Sequence, residues 1–194
     1  VATFGAFFDA NILYPSGLRN FLMHLAMTGM FRAHWSAEVH EEWIRNLLKN
    51  RPDLTHEKLD RTRRLMEQAL PDALVTGYEH LIGTIELPDR NDRHVLAAAI
   101  QCQASAIVTH NLADFPSDVL AQFNIEAQHP DDFVLALLDI SADLLLEAAR
   151  THRASLRNPP KTTDEYLAEL EAQGLTGSVM ALRQLLAGQN TEHI

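Results

Sequence analysis

Dense apolar stretches of strand length alternate along the first part of the chain with segments whose apolar positions recur at helical spacing. Thr3–Phe8 and Ser105–Thr109 read as buried strands, the second with Ala106, Ile107 and Val108 in an unbroken run. Phe31–Trp35, Ala73–Thr76 and a segment around Ile125 are further strand candidates. Between them, Pro15–Met30 places Leu18, Phe21, Leu22, Leu25 and Ala26 at helical intervals and ends near Gly29. Ser36 is placed to cap a helix running to about Lys49, with Val39, Trp43, Ile44 and Leu47 inward. Thr55–Leu70 predicts another helix, stopped by Pro71. A strongly apolar one runs from about Asp92 to Gln103, and a short one starts near Pro116. Strands alternating with helices predict a parallel α/β sheet between helical layers. After residue 130 only helical spacing remains, over Pro130–Leu138, Ser141 to about Ser155 and Thr163–Ala187, with a break at Gly174–Gly177. Asn158-Pro159-Pro160 is a hinge, and Thr162 with Glu165 has capping-box spacing. The chain thus divides into an α/β domain over residues 1–138 and a helical extension over 139–194.

Composition narrows the class. Apolar residues make up 46% and charged residues 22%, which are globular proportions and exclude disorder along the whole chain. Val95–Ile100 and Phe133–Leu138 are the longest apolar runs. Both fall far short of the roughly 20 residues of a membrane-spanning helix. No basic-then-apolar leader is read at the start, and Cys102 is the single cysteine, so a reducing cytoplasm is the expected setting. The net charge of −10, from 16 basic and 26 acidic residues, argues against bulk attraction to nucleic acid. It leaves open an enzyme that meets phosphates through bound cations.

In a parallel sheet, ligands bind beyond the carboxyl ends of the strands. Asp9 follows the first strand, Asn111 and Asp114 follow the strand at Ile107-Val108, Asp89 and Asp92 open the apolar helix, and Glu38, Glu41 and Glu42 ride on the helix after the second strand. Carboxylates gathered in one place resist joint ionisation unless protons or cations balance them. Hard divalent ions such as Mg²⁺ and Mn²⁺ prefer oxygen ligands and support phosphodiester chemistry. Each residue also has a plain reading: Asp92 as a helix cap, the glutamates as a solvated face, Asp114 as a turn residue. Other chemistries lack support. No two histidines are closer than His34 and His40, which excludes an HExxH zinc pair, and no Walker, GxGxxG or GxSxG motif occurs.

These residues also carry a resemblance. Phe7-Phe8-Asp9-Ala10-Asn11-Ile12-Leu13 resembles the opening strand of the PIN-domain ribonucleases. Ser36-Ala37-Glu38-Val39-His40-Glu41-Glu42 is similar to their second motif, which singles out Glu42 and leaves Glu38 and Glu41 as helix surface. Leu87-Pro88-Asp89-Arg90-Asn91-Asp92 resembles the third, with its acid at Asp92, and Ile107-Val108-Thr109-His110-Asn111-Leu112-Ala113-Asp114 the fourth. The four stand in order over about 130 residues. The resemblance implies a three-layer α/β/α PIN fold and a VapC-like toxin of a type II toxin–antitoxin pair. It implies an endoribonuclease dependent on Mg²⁺ (or Mn²⁺), dimeric and inhibited by a cognate antitoxin. Asp9, Glu42 and Asp92 carry over as catalytic and metal-holding acids. Many members have aspartate where this chain has Asn111, so Asp114 is the candidate for the missing charge. His94 is read as a packed or supporting residue.

Basic residues gather over Arg45–Arg64, where an ordinary helix surface is the competing reading, and at Arg150, Arg153, Arg157 and Lys161. The second group flanks the hinge and is the candidate contact for RNA phosphates. The tail stripe Leu167, Leu170, Leu175, Val179, Leu182, Leu185 and Leu186 serves either the chain's own core, a dimer contact or an antitoxin helix. Two rival readings remain: a housekeeping PIN nuclease of RNA processing, and a catalytically silent PIN-fold module that binds a partner protein.

Overall fold

A computed structural model describes residues 3–191; residues 1–2 and 192–194, at the outer ends of the two domains read from the sequence, lie outside it. Five parallel strands form one sheet in the order β3-β2-β1-β4-β5: β1 (Gly5–Phe8), β2 (Arg32–Ser36), β3 (Leu74–Val75), β4 (Ala106–Val108) and β5 (Glu126–Gln128). In β1, Phe7 sits opposite His34 of β2 on one side and Ile107 of β4 on the other. The central strands are apolar because no face of them meets water: Ala6, Phe7, Phe8, Ile107 and Val108 are buried. The order runs outward from β1 in one direction through β2 and β3, then returns to continue through β4 and β5. Right-handed crossovers therefore put α3 (Ala37–Asn50) and α4 (His56–Ala69) on one face and α6 (Arg93–Gln101) and α7 (Ser117–Leu120) on the other. The turn-back between β1 and β4 is where such a sheet opens a ligand crevice.

Local signals account for these helices. Ser36 Oγ accepts from the Val39 amide (3.2 Å) and starts α3, whose inner residues Val39, Trp43, Ile44 and Leu47 are all buried. Thr55 caps α4 in the same way. The one-turn helix α5 (Glu79–Ile82) has no sequence signal of its own, being too short for a period to register.

The chain falls into two compact units. Among the described residues, the first holds 3–15 and 31–129, and the second holds 16–30 and 130–191. Residues 10–13 form the one-turn α1 (Ala10–Leu13), and the helix expected over Pro15–Met30 is α2 (Ser16–Met27). The division read at residue 138 falls inside α8 (Pro130–Ile140), and α8 and α2 both group with the later helices.

In the second unit α2 packs on α9 (Ala142–Ser155), and α11 (Thr176–Thr191) packs on α8 and on α10 (Thr163–Ala172). The capping box of Thr162 and Glu165 is formed. Leu167, Leu170, Leu175, Val179 and Leu182 of the tail stripe are buried within this unit, so the stripe builds its core. Asp131 of α8 ties the start of α11. Its Oδ2 accepts from the Gly177 amide and its Oδ1 from the Ser178 amide, both at 2.8 Å. Those amides are among the orphan donors of a helix N-terminus, where a negative charge is also favoured. Asp131→Ala is expected to lower stability by about 1–3 kcal/mol, read as a shift in the urea midpoint. Among the described residues no helix is long and apolar enough to cross a membrane.

Candidate active site

Asp9 stands where β1 ends and α1 begins, 6% exposed. Three donors fix its carboxylate. The Ala10 amide donates to Oδ1 (2.6 Å), while Thr109 Oγ1 (2.7 Å) and Asn11 Nδ2 (2.7 Å) donate to Oδ2. Thr109, buried at the end of β4, uses its whole capacity: it donates to Asp9 and accepts from Asn11 Nδ2 (2.8 Å) and the Asn111 amide (3.0 Å). Asn11 Oδ1 in turn accepts from the His110 amide (3.0 Å). The carboxyl ends of β1 and β4 are thereby laced together around one oxygen of Asp9. Burial raises the Asp9 pKa above the usual carboxylate value, the Thr109 and Ala10 bonds oppose this, and the nearby Glu42 charge adds to the rise.

Asp92 closes a 3₁₀ turn (Arg90–Asp92) that leads into α6. It does not cap that helix; Asp89 caps the turn instead, accepting from the Asn91 amide (2.8 Å). The Asp92 carboxyl is thus not consumed by local structure. Burial, then repulsion from Asp9, Asp114, Asp89 and Glu42, pushes its pKa up to about 7. Acids from four separate stretches of chain thus act on one group.

Glu42, on α3, is held by His94 of α6, with Nε2 at 2.9 Å from Oε1. His94 Nδ1 lies 3.7 Å from Glu38 Oε2, which also accepts from the Tyr78 hydroxyl (3.0 Å). Burial lowers the His94 pKa, but its bond to Glu42 and the charges of Glu42 and Glu38 outweigh this and raise it. Glu38 is therefore not an idle surface residue, and His94 supports Glu42 directly. Asn111 donates from Nδ2 to Asp114 Oδ2 in the turn after β4, so the two act as one polar unit.

Asp9, Asn11, Glu42, Asp92 and Asn111 line one open cleft of about 390 Å³ together with Tyr14, Asn46 and Asn50. Asn46 and Asn50 follow Glu42 at intervals of four, so a single face of α3 delivers all three, and that spacing is the signal of them in the sequence. A larger hollow of about 500 Å³ lies between α3 and α4, lined by His40, Ile44, Arg45, His56, Asp60 and Arg63 among others. Of its two acids, Glu41 and Asp60, the second is neutralised by Arg63 and Arg64, so we place the site in the smaller cleft.

Among the described residues, no three His, Cys, Asp or Glu side chains are arranged to hold one ion as they stand. The donor chemistry nevertheless fits a hard divalent cation. The groups that meet here are carboxylates and amides, and Asp92 is half-buried among other acids. Arg153 and Lys161, from the basic group at the hinge, have local partners: Arg153 Nη1 donates to the Lys161 carbonyl (3.0 Å), and Lys161 pairs with Glu169.

A family profile described as PIN domain matches residues 6–113, more than half of the chain, and the chain belongs to the PIN-domain family. A second profile, described as the VapC50 C-terminal domain, matches residues 130–184, starting where α8 starts. The chain is 48% identical over 104 residues to a protein of Mycobacterium tuberculosis named "Putative ribonuclease VapC50"; the match spans 54% of this chain and 61% of that protein. No solved structure matches the chain.

Proposed function

We propose that this chain is a Mg²⁺- or Mn²⁺-dependent endoribonuclease and the toxin of a type II toxin–antitoxin pair, acting as a homodimer in the cytoplasm. The observation that carries this reading is the meeting of Asp9, Glu42 and Asp92 in one polar cleft at the switch point of the sheet. The PIN family and the relative named as a ribonuclease support it.

Asp9 and Asp92 would hold the ion, with Glu42 beside them and Asn111 and Asp114 completing the set directly or through water. When bound, the ion would lower the pKa of an attacking water and offset charge on the phosphate. The chain's own groups then do the rest. Asn11 and Thr109 fix Oδ2 of Asp9 so that it does not turn away from the cleft. His94 fixes Oε1 of Glu42, leaving Oε2 to take a proton from the attacking water. Asn46, Asn50 and Tyr14 offer neutral hydrogen-bonding groups along the wall, suited to a ribose-phosphate chain. Arg150, Arg153, Arg157 and Lys161 are the candidate contacts for phosphates away from the scissile bond.

Mixed cellular RNA incubated with the purified protein tests the reading. Fragments with defined ends are expected in Mg²⁺ or Mn²⁺ and none in EDTA. The uncharged Asn111 favours one alternative, a catalytically silent module that binds a partner protein. No cleavage by folded protein under any divalent ion supports that alternative. A processing nuclease would cleave without arresting growth of the expressing cell.

Thr109→Val tests the lacing around Asp9. It keeps the shape and removes one donated and two accepted hydrogen bonds. Cleavage is expected to fall by about 10- to 100-fold, with the far-ultraviolet dichroism unchanged.

A further inference from the structure

We infer that His110 and His129 form a two-imidazole site for a borderline transition-metal ion of the zinc, nickel and copper class, separate from the carboxylate cleft. β4 and β5 run parallel with Val108 opposite Gln128, and the Thr109 amide donates to the Gln128 carbonyl (3.0 Å). His110 and His129 leave the sheet just beyond, at the same end. His110 Nδ1 and His129 Nε2 stand 3.2 Å apart, with ring centroids 5.0 Å apart and planes at 65°. Two nitrogens bonded at about 2.0–2.1 Å to one tetrahedral zinc are separated by about 3.3 Å. The pair is already at that separation, and rotation of the rings brings both lone pairs onto a common point.

The backbone under the pair is fixed. The His110 amide donates to Asn11 Oδ1, and the Asn111 amide donates to Thr109 Oγ1. His110 is exposed and His129 partly so, which gives an ion an entry path and lets water fill its remaining positions. Imidazole nitrogen selects zinc, nickel and copper, whereas Mg²⁺ prefers oxygen, so the two sites take different ions. In the neutral pair the two facing nitrogens share one proton. On metal binding the donating ring shifts that proton to its other nitrogen, so both facing nitrogens become ligands with no net proton lost. An ion here joins the turn after β4 to the end of β5 and stabilises the folded chain by linkage.

Calorimetric titration of the full chain with Zn²⁺, in excess Mg²⁺, tests the site. One Zn²⁺ per chain is expected. Affinity should be unchanged in Asp9→Asn/Asp92→Asn and at least about tenfold weaker in His110→Ala and in His129→Ala. Zn²⁺ should raise the thermal midpoint of the wild type and of the double acid variant, but not of either histidine variant. No Zn²⁺ binding by the wild type, wild-type affinity in either histidine variant, or loss of binding in the double acid variant would each overturn the site.

Discussion

Asp9→Asn is expected to lower RNA cleavage on the order of a thousandfold while leaving the folded chain no less stable. The two halves of this expectation come from different interactions. Asparagine has nearly the shape of aspartate but carries no negative charge, so the cleft loses the acid most tightly fixed in place. One amide end would also point its N–H groups at donors, since Ala10, Asn11 and Thr109 all donate to this carboxylate. That mismatch costs about 1 kcal/mol. Against it, the substitution removes a buried charge that the fold disfavours, as the raised pKa of Asp9 shows, and relieves repulsion from Glu42. The offset predicts a thermal midpoint equal to or above that of the wild type. A variant that lost activity by unfolding would instead show a lower midpoint, so the two measurements together separate chemistry from structure.

The second large effect concerns pH and the helical unit. His152 of α9 is buried among Phe21 and His24 of α2 and Tyr166 of α10. Its Nδ1 is 3.1 Å from the Tyr166 hydroxyl, and its Nε2 is buried with no hydrogen-bond partner among the described residues. Burial, then repulsion from His24 and Lys161, lowers its pKa from 6.5 to about 4. The folded chain therefore binds this proton less readily than the unfolded chain does. The contribution to stability is complete above pH 6.5, declines as pH falls, and is exhausted once pH passes below about 4. Between pH 7 and pH 4.5 the loss from this one group is roughly 2 kcal/mol. Carboxylates titrate over part of the same range, so the readout is a difference. The urea midpoint of the wild type should fall more steeply with acid than that of His152→Phe. Parallel profiles would show that His152 is not the acid-labile point.

Much of the fold could be read from the sequence because its signals are local. The run ending at Asp9, the Ser36 cap and the Thr162–Glu165 box each depend on neighbours within a few residues, and each is found in place. The grouping of α2 with the C-terminal helices was not legible, because its amphipathic spacing says that one face is buried and not against what. At the site, Asp9 and Asp92 were legible as strand-end and helix-start carboxylates, and Glu42 only through its motif. Their supports were less so. Asn11 and Thr109 act across a separation of many residues, which spacing does not encode, and His94, read as packed or supporting, finds its partner Glu42 only in the fold. Glu38 does lie on the half-exposed surface of α3, but its contacts with Tyr78 and His94 come from distant segments that helical spacing does not indicate. Asp92 carried two readings, cap or free carboxyl, and the structure decides between them by giving the cap to Asp89.

The proposed metal-dependent RNA cleavage belongs to the cleft of Asp9, Glu42 and Asp92. The most direct measurement compares wild type with Asp9→Asn/Asp92→Asn on the same RNA, in Mg²⁺, Mn²⁺ and EDTA, with fragment ends mapped. The account predicts cleavage at defined positions by the wild type with either ion, none in EDTA, and none by the folded double variant under any condition. Cleavage by the double variant at the wild-type positions, with the wild-type metal dependence, would contradict it.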